Sequence, residues 1–152
     1  HIQNDALYLK EINRVLKPGG IALFTTPNRK MSLSRNPWHI REYLAHELKA
    51  LAAGIFATAE MKGITGNEKV MAYYEQNKKS VQRIMKWDIL RLQWNLPAWM
   101  LRAPYEFLNR RNRNTLQSGD DMLVKSIHHE DYIVTDDADN ALDLLLIVTK
   151  QQ

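Results

Sequence analysis

Residues 9–28, LKEINRVLKPGGIALFTTPN, contain the signals for a helix, a tight reversal and a strand in direct succession. Apolar residues recur at spacings of three and four in the first half, which predicts a helix over residues 4–16 with one buried stripe. The Lys-Pro-Gly-Gly sequence at 17–20 must end that helix, because proline disfavours a helical residue before it and glycine readily adopts the left-handed conformation. Residues 21–26 are continuously apolar or β-branched, which is typical of a strand covered on both faces in a parallel sheet.

The segments that follow extend the same pattern. Leucines at helical spacing predict a second helix over residues 39–53, and a weaker alternation predicts a strand over residues 56–64. The apolar run LDLLLIVT at residues 142–149 predicts a third, buried strand. Helix, glycine turn, strand, helix and strand in this order are typical of sheets whose parallel strands are joined by crossovers, so we expect an α/β fold with three strands.

The middle of the chain has a different character. Its apolar spacing predicts a long helix over residues 70–85 and a second, proline-punctuated helix over residues 94–108. Residues 110–114 are rich in arginine and lack an apolar anchor, which predicts an exposed turn or linker. We therefore expect an inserted helical subdomain.

The composition of the 152 residues is that of one ordinary globular domain, with 45% hydrophobic and 25% charged residues. The chain has no cysteine, which excludes disulfides, thiolate metal sites and cysteine nucleophiles and favours a reducing, cytoplasmic location. No apolar run approaches the roughly 18 residues needed to span a bilayer. We expect no metal site, since the adjacent His128 and His129 would point to opposite faces of a strand.

Charge is distributed unevenly along the chain. Residues 1–66 hold nine basic and five acidic side chains (net +4), residues 67–118 hold ten and four (net +6), and residues 119–152 hold two and eight (net −6). A basic block can mark nucleic acid, lipid head groups or an acidic substrate, or it can be a solvated helix face that pairs with the acidic end. The nearby opposite charge favours the second interpretation.

Aromatic residues are interleaved with the basic ones in the middle block. Such side chains could stack on bases or lie at a lipid interface, although aromatics at helical spacing more often pack in a core. The residues concerned are Trp87, Trp94, Trp99 and Tyr105, with Lys86, Arg91 and Arg102.

The phrase RVLKPGG at residues 14–20, with its helix before and strand after, resembles the back half of a class I S-adenosylmethionine-dependent methyltransferase. In that family the phrase leads into the fifth strand of a seven-stranded, Rossmann-like sheet. NPWHIREY at residues 36–43 is similar to a segment that follows the fifth strand, and ALDLLLIVTK at residues 141–150 resembles the last strand.

The resemblance implies a partial Rossmann-like sheet that holds the last three strands in the order five, seven, six, with the last strand antiparallel. It assigns residues 1–66 and 119–152 to the carboxyl-terminal half of the methyltransferase domain. Residues 67–118 are then a helical insertion, in the region that usually carries the substrate-specific elaboration.

The cofactor implied for the intact protein is S-adenosylmethionine. The chain contains neither a G-x-G-x-G loop nor a strand ending in an acidic residue that could hold a ribose, and its Lys-Pro-Gly-Gly turn follows a helix, where it cannot cradle the cofactor. We therefore expect a fragment that lacks the cofactor-binding half and is inactive alone. By the resemblance His1 is the one surviving cofactor-side position, near the end of the fourth strand; the alternative is a disordered chain end.

Candidate substrate-binding residues lie after the first predicted strand. Thr26 and Asn28 are at its carboxyl end, where α/β sheets place ligands, although asparagine more often caps a turn. Trp38 and Tyr43 belong to the segment that is similar to the family, and the resemblance implies that they contact the acceptor.

His39 is the candidate catalytic residue, as a general base, because imidazole titrates near neutral pH. Glu42 follows one helical turn later and could orient the imidazole ring. The alternative, which we favour on the sequence, is that Trp38 and His39 simply fix the start of the second helix.

The leading functional prediction is methyl transfer to an oxygen, nitrogen or carbon of a small-molecule or lipid-like acceptor, catalysed chiefly by positioning. A rival is a non-enzymatic module whose basic helical block binds nucleic acid, membrane or protein, and a third prediction is a degenerate methyltransferase fold that serves as an interaction subunit. On the leading interpretation nucleic acid is not expected as a partner. Absence of the first four strands would expose an apolar sheet edge, which predicts a homo-oligomer.

Overall fold

The computed structural model describes residues 1–86, 95–119 and 121–152. These residues form five α-helices and four β-strands, which confirms the prediction of an α/β fold. The helices are α1 (Asp5–Val15), α2 (Ala45–Ala53), α3 (Glu68–Met85), α4 (Ala98–Gly119) and α5 (Asp121–Ser126), and the strands are β1 (Ile21–Pro27), β2 (Thr58–Gly66), β3 (Tyr132–Thr135) and β4 (Asp143–Thr149). Single 3₁₀ turns precede β3 and β4, at His129–Asp131 and Ala138–Asn140.

The four strands form one sheet in the order β1-β4-β2-β3. β4 is antiparallel to both of its neighbours: Pro27 and Ile64 each pair with Asp143, and Ile21 and Thr58 each pair with Thr149. β1 and β2 therefore run parallel to each other, and their carboxyl ends meet the start of β4 at one edge of the sheet.

The expectation of three strands is wrong for the described residues, because β3 was missed. β3 has four residues, and Tyr132, Ile133 and Val134 are all exposed. A strand this short, without one buried face, has no alternation for a sequence pattern to detect.

β1 follows the helix stop directly, as predicted. Gly19 has φ +72°, and the Gly20 N–H donates to the Lys17 carbonyl at 2.8 Å, which closes the reversal. The end of α1 is also capped by the residue that follows β4, since Lys150 Nζ donates to the Leu16 carbonyl at 2.8 Å and to the Arg14 carbonyl at 3.1 Å. These bonds satisfy carbonyls that the last turn of a helix leaves unpaired.

The expectation that β1 is covered on both faces is wrong in this structure. Ala22 and Phe24 are partly buried, whereas Ile21 and Leu23, on the opposite face, are 63% and 65% exposed. β1 is an edge strand of this sheet with one covered face. A continuous apolar run predicts burial but carries no information about whether another layer is present to provide it.

The core lies between that covered face and the two amino-terminal helices. Leu9 of α1 and Leu48 of α2 belong to the same buried cluster as Leu144, Leu146 and Val148, which alternate along β4. The three β4 side chains are fully buried, and β4 has more buried residues than any other strand of the sheet.

α2 begins at Ala45, and the predicted start at residue 39 is wrong. Leu44 has extended backbone dihedral angles (φ −84°, ψ 156°), and the Glu47 carboxylate accepts from the Leu44 N–H at 2.9 Å. This capping bond fixes the first turn of the helix. His39 and Glu42 precede that cap and so do not share a helix face.

The chain divides into two compact units. The sheet unit comprises residues 1–32, 40–65 and 134–152, and the helical unit comprises residues 33–39 and 66–133. The predicted boundaries of a family domain and its insertion, at residues 66 and 119, remain a prediction.

In the helical unit, a buried polar cluster joins α3 to α4. Asn112 of α4 is buried; its Nδ2 donates to Asn77 Oδ1 at 2.8 Å, and its Oδ1 accepts from the Ser80 hydroxyl. The predicted turn at residues 110–114 is therefore wrong, because α4 continues through it, although Arg110, Arg111 and Asn114 are exposed as expected. The anchor of this segment is polar, so a search for apolar anchors overlooks it.

Trp87, Arg91 and Trp94, three of the interleaved aromatic and basic residues, lie outside the described residues. Over the ranges that the structure covers, no helix is both long enough and apolar enough to cross a bilayer.

Candidate functional site

The carboxyl edge of β1 holds Thr26 and Asn28, and the structure places Tyr43 beside them. Thr26 lies on the covered face of β1, partly buried, and pairs in register with Leu144 of β4. Asn28 and Tyr43 form an isolated parallel bridge, and the Arg29 N–H donates to the Tyr43 carbonyl at 2.9 Å. Three of the predicted substrate residues are thus neighbours in the sheet unit.

The side chain of Asn28 is 1% exposed and bonded on both sides. Its Nδ2 lies within 2.8–3.2 Å of the carbonyl oxygens of Ala138, Asp139 and Ala141, and its Oδ1 accepts from the Lys30 N–H at 3.0 Å. The structure therefore gives this residue a role in holding the loop after β1 against the turn before β4, with little side-chain surface left for an acceptor.

Tyr43 connects this edge to the start of α1. Its hydroxyl donates to the carboxylate of Asp5, in the first turn of α1, and the Arg41 guanidinium pairs with the same carboxylate oxygen. Asn4 caps the helix, accepting from the Leu7 N–H at 2.9 Å. The Tyr43 ring is partly buried, and His1 is exposed.

Trp38 and His39 belong to the helical unit, where Asn36 organises both. Asn36 Oδ1 accepts from the Trp38 N–H at 3.0 Å, which leaves the amide nitrogen 3.0 Å from His39 Nε2. An amide nitrogen can only donate, so Nε2 is the acceptor in this contact. The guanidinium of Arg102 lies 4.2 Å from the centre of the Trp38 ring, in a cation–π contact.

His39 and Glu42 were predicted to lie on one helix face, and this prediction is wrong because α2 begins after both residues. Glu42 lies in the sheet unit, and its carboxylate accepts from the Ser32 hydroxyl. Asn36 is the residue that touches the His39 ring at the nitrogen described above.

Asp143, which was not among the predicted site residues, also lies at this edge of the sheet. It opens β4 between Pro27 of β1 and Ile64 of β2, and it is partly buried. Burial raises the pKa of the Asp143 carboxyl above its ordinary value. The signal was present in the sequence, since Asp143 is the one charged residue within the apolar run LDLLLIVT, and a carboxylate is costly to bury without a role.

A metal site is not apparent within residues 1–86, 95–119 and 121–152, where no three His, Asp or Glu side chains form a group that could hold an ion. The chain's lack of a G-x-G-x-G loop also bears on cofactor binding. Its Gly19 and Gly20 form the stop of α1 and do not join a strand to a helix. The expectation that this chain lacks the cofactor-binding half stays a prediction.

Part of the chain matches a known protein. Over 56 residues it is 45% identical to a probable S-adenosylmethionine-dependent methyltransferase of Mycolicibacterium smegmatis. This similarity supports a relationship to methyltransferases. The match covers 34% of this chain and 22% of that relative. No family model matches the chain, and no solved structure matches it.

Proposed function

We propose that this chain is the carboxyl-terminal part of a class I S-adenosylmethionine-dependent methyltransferase that acts on a small-molecule or lipid-like acceptor. The observation that carries the proposal is the 45% identity over 56 residues to the mycobacterial protein. The sheet supports it, because β4 lies antiparallel between two strands that are parallel to each other. That arrangement is the one expected for strands five, seven and six.

In this proposal the sheet unit contributes acceptor contacts at the carboxyl edge of β1. Thr26 and Tyr43 would contact the acceptor, while Asn28 keeps the loop after β1 in place. α/β folds place ligands at this edge of a sheet. S-adenosylmethionine would supply the methyl group when bound, and His1 is proposed as the cofactor-side residue of this chain.

His39, with Trp38 beside it, is proposed as the general base that takes the proton lost by the acceptor. The contact with Asn36 supports this role, because it holds Nε2 beside a hydrogen-bond donor, which is the orientation a general base needs. An acceptor hydroxyl or amine would replace the Asn36 amide at that nitrogen. The role of the chain is then to position the acceptor and to remove one proton.

The test of the proposal uses the product of the whole gene. The coding sequence upstream of His1 is expected to contain a glycine-rich loop between a strand and a helix, and the whole product is expected to bind S-adenosylmethionine and transfer its labelled methyl group. The 152-residue chain alone is expected to bind the cofactor weakly in calorimetry. A whole product without such a loop and without cofactor binding would contradict the proposal, and a tight one-to-one complex with the chain alone would show that the cofactor site is misplaced.

The role of His39 is tested separately in the same whole protein. His39→Ala is expected to remove most of the turnover while the dissociation constant for S-adenosylmethionine stays unchanged. Turnover equal to the wild type would reject His39 as the base and leave the methyltransferase proposal standing.

We also propose that this chain self-associates through β1. β1 is at the edge of the sheet and presents the exposed side chains of Ile21 and Leu23. Unpaired, apolar strand edges favour pairing with another copy. Light scattering during size-exclusion chromatography is expected to give a mass of a dimer or larger species, and a monodisperse monomer would contradict this proposal.

A further inference from the structure

The outer face of α4 carries large apolar side chains that the described residues leave uncovered. Trp99 is 69% exposed and Phe107 is 65% exposed. Ala103 lies between them at intervals of four residues, and all three are on one face of the helix. Met100, one residue further round, is also exposed. The four residues are here called the α4 outer face.

The opposite face of α4 is fixed by its contacts within the helical unit. Leu101 and Tyr105 are partly buried there, and Asn112 is buried and bonded to Asn77 and Ser80 of α3. This polar cluster sets the rotation of α4 about its axis. Rolling the helix to hide Trp99 and Phe107 would break the bonds of Asn112, so the exposure of the outer face is built into the packing.

Basic side chains flank the α4 outer face. Arg110 is exposed one helical turn beyond Phe107, and Arg102 is exposed with its guanidinium held over the Trp38 ring. Between residues 98 and 114 the sequence has four arginines and one glutamate, a net charge of +3. Large apolar side chains beside arginines form the pattern of helices that lie in a membrane interface.

We propose that the α4 outer face docks on an anionic phospholipid surface. Trp99, Met100 and Phe107 would enter the boundary between head groups and acyl chains, and Arg102 and Arg110 would remain among the anionic head groups. A single-stranded nucleic acid fits less well, because base stacking uses flat rings along a basic groove, whereas this face includes a methionine on the outside of a helix. The inference does not depend on methyl transfer, although it would bring a lipid-like acceptor close to the protein.

Vesicle sedimentation tests the apolar part of this proposal with the 152-residue chain. The chain is expected to sediment with vesicles in which about a third of the phosphatidylcholine is replaced by phosphatidylserine, and to stay in solution with pure phosphatidylcholine. The double variant Trp99→Ser, Phe107→Ser is expected to bind at least about tenfold more weakly. The matched control is Met122→Ser, which removes a side chain that is 85% exposed on α5 and should leave binding unchanged. Circular dichroism shows whether each variant keeps its helix content.

The charge part is tested by Arg110→Gln, which should weaken binding about fivefold. Lys10→Gln, at an exposed position of α1, removes the same charge elsewhere and should have a smaller effect. High salt should release the wild-type chain.

A spectroscopic readout is independent of sedimentation. Anionic vesicles should shift the fluorescence of Trp99 to shorter wavelength, measured as the difference between the wild type and Trp99→Phe. The proposal is overturned if anionic vesicles do not retain the chain, or if the double variant binds as the wild type does. It is equally overturned if a single-stranded oligonucleotide is retained with the same dependence on Trp99 and Phe107, a result that would assign the face to nucleic acid.

Discussion

The side-chain amide of Asn28 donates to the backbone carbonyl of Ala141 at 2.8 Å, across 113 residues of sequence. The same amide nitrogen also lies 3.1 Å and 3.2 Å from the carbonyls of Asp139 and Ala138. A single buried side chain therefore holds the loop that leaves β1 against the 3₁₀ turn that leads into β4.

Asn28→Ala is expected to lower the free energy of unfolding by about 3 kcal/mol, because it leaves the buried carbonyls of Ala138 and Ala141 without a donor. Urea unfolding measures this change. Asn114→Ala, at an exposed position of α4, is the matched control and should lose no stability. An Asn28→Ala variant as stable as the wild type would show that water replaces the amide.

Gly63 of β2 lies where the sheet meets the same 3₁₀ turn. A Cβ at this position would stand 2.2 Å from the Ala141 Cβ and 3.1 Å from the Ala138 Cα. Gly63→Ala is therefore expected to cost about 2–3 kcal/mol by forcing the turn away from the sheet. The measurement is the midpoint of urea unfolding.

The control for Gly63 is Gly54, which follows α2. Among the described residues, no atom lies within 4 Å of a Cβ at Gly54, and its backbone has φ −80° and ψ −4°. Gly54→Ala should be neutral or gain about 0.5 kcal/mol, because alanine restricts the unfolded chain. Equal losses at the two glycines would refute the steric explanation.

Elements whose ends are determined by neighbouring residues were predicted correctly from the sequence. The Lys-Pro-Gly-Gly turn, residues 17–20, is short enough that its own backbone preferences decide the reversal, and β1 begins directly after it. The predicted start of α2 was wrong, because the observed start depends on a hydrogen bond from the Leu44 N–H to the Glu47 carboxylate. Leucine spacing does not reveal this bond. The predicted end of α4 at residue 108 was wrong, because the residue that anchors its later turns, Asn112, is polar.

The candidate site was only partly predictable, since it depends on contacts distant in sequence. Thr26 and Asn28 were predicted to lie at the end of a strand, and they do. The partners of the Asn28 side chain, however, lie more than a hundred residues away. The ring of His39 contacts Asn36 because residues 36–39 form a compact turn, whereas the sequence predicted that a helix begins at His39.

Asp131, in the helical unit, should make the folded protein less stable as the pH falls. Its carboxylate accepts from the His128 N–H at 2.8 Å and from Asn67 Nδ2 at 2.6 Å, and Lys69 Nζ lies 3.4 Å away. The His128 bond first, then Asn67 and Lys69, hold the pKa of this carboxyl below its ordinary value. The stabilisation is therefore present above the unfolded pKa, about 3.9, and is lost as pH falls through the folded pKa.

Asp131→Asn is accordingly expected to be less stable than the wild type at pH 7, with a difference that narrows as the pH is lowered towards 3. Chemical unfolding at several pH values measures the difference. Asp139→Asn, at an exposed position, should show a small difference at every pH. If the difference in the free energy of unfolding between Asp131→Asn and the wild type stays constant from pH 7 to 3, the lowered pKa of Asp131 is contradicted.

Asp143 should have the opposite effect on stability as the pH changes. Burial raises the pKa of its carboxyl, so the folded state disfavours the charged form, and the free energy of unfolding falls as pH rises from the unfolded pKa through the folded one. Asp143→Asn removes this penalty and is expected to be more stable than the wild type at pH 7, with the gain vanishing near pH 3. Asp136→Asn is the contrasting control, because its carboxylate pairs with Lys62 Nζ at 2.7 Å, which holds the pKa of that group down, and its loss should slightly destabilise the protein at pH 7.

Measuring both the stability and the acceptor KM of Asp143→Asn tests whether the carboxylate at the start of β4 binds the acceptor. If Asp143 contacts the acceptor at the carboxyl edge of β1, the whole protein carrying Asp143→Asn should be more stable and should show a higher KM for its acceptor, with unchanged affinity for S-adenosylmethionine. Residues kept for function commonly lower stability in this way. Greater stability with an unchanged KM would show that Asp143 is a buried charge without a part in acceptor binding, and lower stability would contradict the direction of its pKa shift.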